Sequence, residues 1–182
     1  MVRMYVNRSC GKTVEEENRL INVEEDLFQY INLCALSLGI NLKEESVNKF
    51  IIYLKMINSY QKKVNITSIQ NPIDIINKHF LDSLSCIDII NNLFKTFRQE
   101  GKMKIIDVGS GAGFPGIPIK IVLSNTRMRL LEARKNKTLF LKEVIDQLEL
   151  IDIKVIQDRA ENIGKTAEFR EKYHIVLSRA VA

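Results

Sequence analysis

The sequence predicts an α/β fold in which a helical leader precedes an open parallel sheet. Apolar positions recur at helical spacing through the first half of the 182-residue chain. In the second half, short β-rich runs alternate with helical patterns, as in βαβ units. Between one such run and the next helix stand four closely spaced glycines, Gly109, Gly111, Gly113 and Gly116. The length suits a single domain with a small appendage.

Residues 1–24 show no clean periodicity and read as a mobile or weakly helical extension. From Asp26, Leu27, Ile31, Cys34, Ala35 and Leu38 line one helical face, and Gly39 is a helix stop. A second amphipathic helix starts near Lys43, with Val47, Phe50, Ile51, Leu54 and Ile57 on its apolar side. A polar link follows from Gln61 to Thr67. Asn71-Pro72 then gives an N-cap with proline at the first helical position, and Asp74 makes the first turn acidic. Ile73, Ile76, Phe80, Leu84 and Ile87 form that segment's stripe, and Phe97–Lys104 is a second link. Residues 25–98 are therefore read as a helical subdomain and 99–182 as the α/β domain. Strands are expected at Ile105–Val108, Met128–Leu131, Ile153–Ile156 and His174–Leu177, with helices at Ile117–Leu123 and Lys137–Leu148.

The strand, glycine turn and helix around Gly109 let backbone approach a nucleotide-like ligand without side chains in the way. Gly111-x-Gly113-x-x-Gly116 fits a dinucleotide fingerprint. Asp107-x-Gly109-x-Gly111-x-Gly113 fits equally the S-adenosylmethionine (SAM) loop of Rossmann-like methyltransferases. Ligands of such sheets sit beyond the carboxyl ends of the strands. There the chain places Asp107 and Gly109, then Glu132, then Asp158-Arg159-Ala160-Glu161, then Ser178-Arg179. A carboxylate at Glu132 suits the ribose hydroxyls of NAD or SAM alike. Asp107, near the end of a buried strand, needs partners that the loop amides would supply.

The net charge of +5 permits a nucleic-acid partner without requiring one. No apolar run reaches the length of a membrane span, and Arg3, Asn7, Arg8 and Lys12 interrupt any signal-peptide core, which favours a cytoplasmic location. Cys10, Cys34 and Cys86 are odd in number and read as reduced thiols. No P-loop and no Gly-x-Ser-x-Gly elbow occurs. His79 and His174 lack metal-ligand spacing, so no metal is expected: the first packs within its helix and the second opens a strand. Tyr30, Phe50, Tyr53 and Phe80 read as core aromatics.

Several segments together resemble one family. Asn65-Ile66-Thr67-Ser68, His79-Phe80-Leu81-Asp82-Ser83, Ile106 to Pro118 with its Phe114-Pro115-Gly116, and Leu177-Ser178-Arg179-Ala180 occur in this order in the bacterial 16S ribosomal RNA guanine-N7 methyltransferases (RsmG, or GidB). The resemblance runs from about Leu27 onward and implies a Rossmann-like SAM-dependent methyltransferase sheet, represented by its first four strands. It implies SAM contacts at Gly109, Gly111, Gly113, Phe114, Glu132, Ala160, Glu161 and Arg179. It also implies a guanine of 16S rRNA or the small ribosomal subunit as target, phosphates held by Arg134, Lys135, Lys137 and Arg159, and a monomer. No single catalytic residue is expected, because N7 carries a free lone pair and loses no proton on methylation.

The chain departs from the family pattern in Ser59-Tyr60-Gln61, in His174, in its longer N-terminal extension and in stopping at Ala182, where the family continues with further strands. By that comparison it is a truncated product whose last strand is an exposed edge. Two other readings stand beside this one: an NAD-type oxidoreductase, and a non-catalytic RNA-binding fragment.

Overall fold

Four strands form one parallel sheet in the order β3-β2-β1-β4. They are β1 (Met103–Val108), β2 (Thr126–Glu132), β3 (Ile153–Gln157) and β4 (Ile175–Ser178). The computed structural model describes residues 23–61, 69, 71–97 and 101–179. Nearly all of the expected extension, Cys10, the Asn65–Ser68 motif and Ala180 lie outside these residues. The last two positions assigned to the extension, Val23 and Glu24, already belong to helix α1.

The leader is helical. Helices α1 (Val23–Ser37) and α2 (Glu44–Gln61) bury the stripes expected of them: Ile31 and Ala35 on the first, and Val47, Phe50, Ile51, Leu54 and Ile57 on the second. Gly39 ends α1 at φ +74°, a conformation that costs glycine little. Asn71 caps α3 (Pro72–Ile75) by accepting the amides of Ile73 at 2.9 Å and Asp74 at 3.3 Å. The backbone then widens into a π-helical turn, Ile76–Leu81, before the short α4 (Asp82–Leu84). Ile76, Phe80, Leu84 and Ile87 are buried as expected, whereas Ile73 is 36% exposed. Ile73 sits in the first turn beside Asp74, where the chain has only begun to enter the core. The expected single segment is also broken at Ser85, whose hydroxyl bonds back to the Asp82 carbonyl at 2.7 Å. A separate helix, α5 (Ile87–Phe97), follows, and β1 begins at Met103, inside the expected link.

In the sheet, α6 (Gly116–Val122) follows β1, α7 (Lys135–Gln147) follows β2, and α8 (Ala160–Ile163) follows β3. Side chains alternate across each strand. Ile105, Met128 and Leu130 enter a large core shared with the leader and with Ile117, Phe140 and Val144. Ile106 and Leu131 face the other way into a small cluster with Ile163, against which Phe169 and Tyr173 pack. Burying each such aliphatic side chain contributes roughly 1.5–3 kcal/mol, so the leader side of the sheet holds most of the stabilisation. The carboxyl ends of all four parallel strands lie at one end of the sheet, together with the glycine loop.

Candidate functional site

The loop from Gly109 to Pro115 is held from beneath by one carboxylate. Asp107 is fully buried, and its Oδ2 accepts the Gly116 amide at 3.0 Å while Oδ1 has no hydrogen-bond partner. Burial pushes this carboxyl up to about 6, although the Gly116 amide pulls the other way. Gly116 has to be glycine: a Cβ there would lie 2.5 Å from Leu130 Cδ2 and 2.8 Å from Asp107 Oδ2. At Gly113, φ is +102° and a Cβ would lie 2.5 Å from Ile117 Cδ1 and 2.6 Å from the Tyr53 hydroxyl. Tyr53, fully buried on α2, donates to the Ala112 carbonyl and so ties the leader to the loop. The peptide between Phe114 and Pro115 is cis.

A second carboxylate holds the loop from the side. Glu132, at the end of β2 and 7% exposed, accepts the Gly111 amide at 2.8 Å on Oε2 and the Arg134 amide at 2.9 Å on Oε1. Each oxygen keeps a second lone pair for a ligand hydroxyl. Beside it opens a cleft of about 410 Å³, lined among others by Gly109, Glu132, Asp158, Arg159, Ala160 and Glu161. That volume is in the range of small-ligand and cofactor sites. The positions expected from sequence as Gly109, Glu132, Ala160 and Glu161 therefore meet in one cleft. Gly111 adjoins it through its amide. The Lys137 ammonium lies over Gly111, 3.7 Å from where a Cβ would be, whereas Arg134 and Lys135 are exposed at the start of α7.

Phe114 and Arg179 do not line that cleft. Phe114 is 5% exposed because its ring turns inward onto Tyr53, at 5.5 Å between centroids, and Phe80, at 6.0 Å. His79 stacks on it at 4.5 Å and 18°. Arg179, just past β4, lies with its guanidinium 5.2 Å from the Phe114 centroid. It donates to Asp82 Oδ2 at 2.9 Å, to the Lys78 carbonyl at 3.2 Å and to His79 Nδ1 at 2.9 Å. Burial first and the Arg179 charge second lower the His79 pKa. Because a guanidinium can only donate, Nδ1 is the acceptor in this contact, which leaves the ring proton to Nε2. His79 lies within its helix and Tyr53 in the core, as expected from the sequence. That both reach the loop is not legible in the sequence, because the contacts join residues far apart in the chain; the one local signal is that His79 and Asp82 share one short motif.

Among the described residues no group of three or more His, Cys, Asp or Glu is placed to hold a metal, and no helix is long and apolar enough to cross a membrane.

A glycine loop at the carboxyl end of a parallel sheet, with acids at Asp107 and Glu132, is shared by several enzyme classes. Comparison with known proteins separates them. Residues 46–182 match the model of the GidB family, rRNA small subunit methyltransferase G. The chain belongs to this family. It is 42% identical over 160 residues to the ribosomal RNA small subunit methyltransferase G of Dictyoglomus thermophilum, covering 88% of this chain and 64% of that protein. With the protein of the same name from Acetivibrio thermocellus it shares 42% identity over 148 residues, or 81% of this chain and 58% of that one. The chain thus spans about three-fifths of the length of these curated relatives. In this family member the matched region starts within α2 and takes in Tyr53, His79, the glycine loop, Glu132 and Arg179.

Proposed function

We propose that this chain carries the SAM-binding part of an enzyme that methylates N7 of a guanine in 16S small-subunit ribosomal RNA. The observation that carries the reading is the pairing of the glycine loop with Glu132 at the mouth of the 410 Å³ cleft. The names of the relatives supply the substrate class, a small-subunit ribosomal RNA.

In this reading Gly109, Glu132, Ala160 and Glu161 hold the adenosine half of SAM, with Glu132 accepting from the ribose hydroxyls. Gly111, Gly113 and Phe114 shape the loop beneath the rest of the cofactor, and Arg179 closes the side next to β4. Arg134, Lys135, Lys137 and Arg159, around the same opening, hold RNA phosphates in contacts that position the substrate without reading its sequence. The leader, residues 25–98, braces the cofactor domain, 99–182, through Tyr53 and His79. The enzyme acts as a monomer in the cytoplasm.

When bound, SAM supplies a methyl group activated by its sulfonium. Guanine N7 offers a lone pair and releases no proton, so the chain needs no general base. His79 is consistent with that: its Nδ1 already accepts from Arg179. Holding the guanine in line with the methyl is worth ~7–11 kcal/mol in a near-attack geometry. Positive charge passes from the sulfonium to the purine as the methyl is transferred, a change that fixed dipoles and carboxylates around the cleft would stabilise.

Incubation with radiolabelled SAM and small-subunit rRNA, followed by nucleoside chromatography, tests the assignment. 7-Methylguanosine is the expected product. Label in any other nucleoside would contradict it.

A further inference from the structure

The second face of the sheet divides into two chemically opposed halves. Towards the carboxyl ends it is apolar, with Ile106, Val108, Leu131 and Ile156 under Ile163 and Phe169. Towards the amino ends the same face carries Lys104 on β1, Arg127 and Arg129 on β2, and Lys154 on β3. The strand register sets Lys104 directly beside Arg127 and Arg129 directly beside Lys154. Like charges side by side in a sheet are destabilising, and parallel strands ordinarily read as apolar on both faces. None of these four cations, nor Lys172, has a carboxylate within ion-pair distance among the described residues. Lys104, Arg127, Arg129 and Lys172 surround an open hollow of about 230 Å³ with Tyr173 and a single acid, Glu168. Among the described residues the acids that act on this cluster are Glu168 at the hollow and Asp152, which also pairs with Lys102, so the cluster keeps an excess of positive charge.

We propose that this basic half-face binds the phosphodiester backbone of RNA, as a contact surface separate from the glycine-loop cleft. The inference rests on RNA being the substrate. The charges are spread across three neighbouring strands instead of converging on one point, which matches a chain of phosphates better than one small anion. Guanidinium pairs such as Arg127 and Arg129 suit phosphate oxygens. The surface runs from the amino ends of the strands to their middle, away from Gly109. Lys104 precedes Gly109 by five residues and Arg129 precedes Glu132 by three, so the two sites are roughly 10–17 Å apart at ~3.3 Å per residue. A structured RNA presenting its guanine at the loop spans that distance, and its backbone would cross the hollow.

The test is fluorescence anisotropy with a small-subunit rRNA transcript across a salt series. The variant K104Q/R127Q/R129Q is compared with a control of equal charge change in the leader, K43Q/K49Q/K95Q. The slope of log affinity against log salt is expected to fall by about 2–3 in the first variant and little in the control. Affinity at low salt should drop at least ~10-fold. Glu168→Gln should tighten binding. S-adenosylhomocysteine affinity should be unchanged in all variants. Equal slopes for variant and control would overturn the proposal. So would inorganic pyrophosphate binding at the hollow with the RNA slope unaltered, which would make it a small-anion site. A reduced slope in a protein that binds no S-adenosylhomocysteine would uphold this surface and sink the methyl-transfer reading.

Discussion

Arg179 donates a hydrogen bond to His79 Nδ1 at 2.9 Å, joining the edge strand of the sheet to the π-helical turn of the leader. The same guanidinium reaches Asp82 and the Lys78 carbonyl, so one side chain fastens two layers beside Phe114. Its side chain is 26% exposed and that of Asp82 56%, so solvent weakens the ion pair. Arg179→Ala is expected to cost about 1–2 kcal/mol in chemical denaturation. It should also raise the His79 pKa towards the ordinary range, readable by NMR titration. An unmoved His79 would show that the guanidinium charge is not felt at the ring.

The same histidine gives the fold a pH dependence. Its folded pKa is below the ordinary value of 6.5. Between the two values the unfolded chain binds more protons than the folded one. The His79 contribution is therefore complete above about pH 6.5 and is lost as pH falls through that window. In His79→Gln this part of the stability profile should flatten.

Asp107 works in the opposite sense. Its folded value, about 6, is above the ordinary 3.8, so its contribution is present at low pH and is lost as pH rises through about 6. The stability of Asp107→Asn relative to the parent should therefore improve between pH 4 and pH 7 by on the order of 3 kcal/mol. A constant difference across that range would mean that the carboxyl titrates normally.

At Gly113 backbone and space both exclude a side chain, whereas Gly101 shares its positive φ but has nothing within 4 Å of a Cβ. Gly113→Ala should cost roughly 2–4 kcal/mol, and Gly101→Ala about 1 kcal/mol from backbone strain alone. Equal losses on thermal melting would contradict the packing of Tyr53 and Ile117 against the loop. Tyr53→Phe, which leaves the Ala112 carbonyl without its partner, should cost about 1–2 kcal/mol.

The contrast between these residues shows what was legible in the sequence. The four strands, the helix after the glycines and the acids at the strand ends depend on local pattern and turn chemistry, and all lie within a few residues of where the sequence places them. The cleft followed because a parallel sheet brings its carboxyl ends together, which unites Gly109, Glu132, Ala160 and Glu161. The π-helical turn did not show, since Ile76–Leu81 has ordinary helical spacing and its widened backbone packs against Phe114 and Arg179 from elsewhere in the chain. The inward turn of Phe114 was hidden for the same reason. Lys104, Arg127 with Arg129, and Lys154 are far apart along the chain, and only the strand register makes them neighbours.

Calorimetric titration of this chain with S-adenosylhomocysteine, beside NADH and beside the Glu132→Ala variant, decides between a SAM cleft and a dinucleotide cleft. One-to-one binding of S-adenosylhomocysteine is expected, at least ~10-fold weaker in the variant because the ribose loses its acceptor, and no binding of NADH. Binding of NADH in its place, or S-adenosylhomocysteine binding that Glu132→Ala leaves unchanged, would contradict the assignment to SAM.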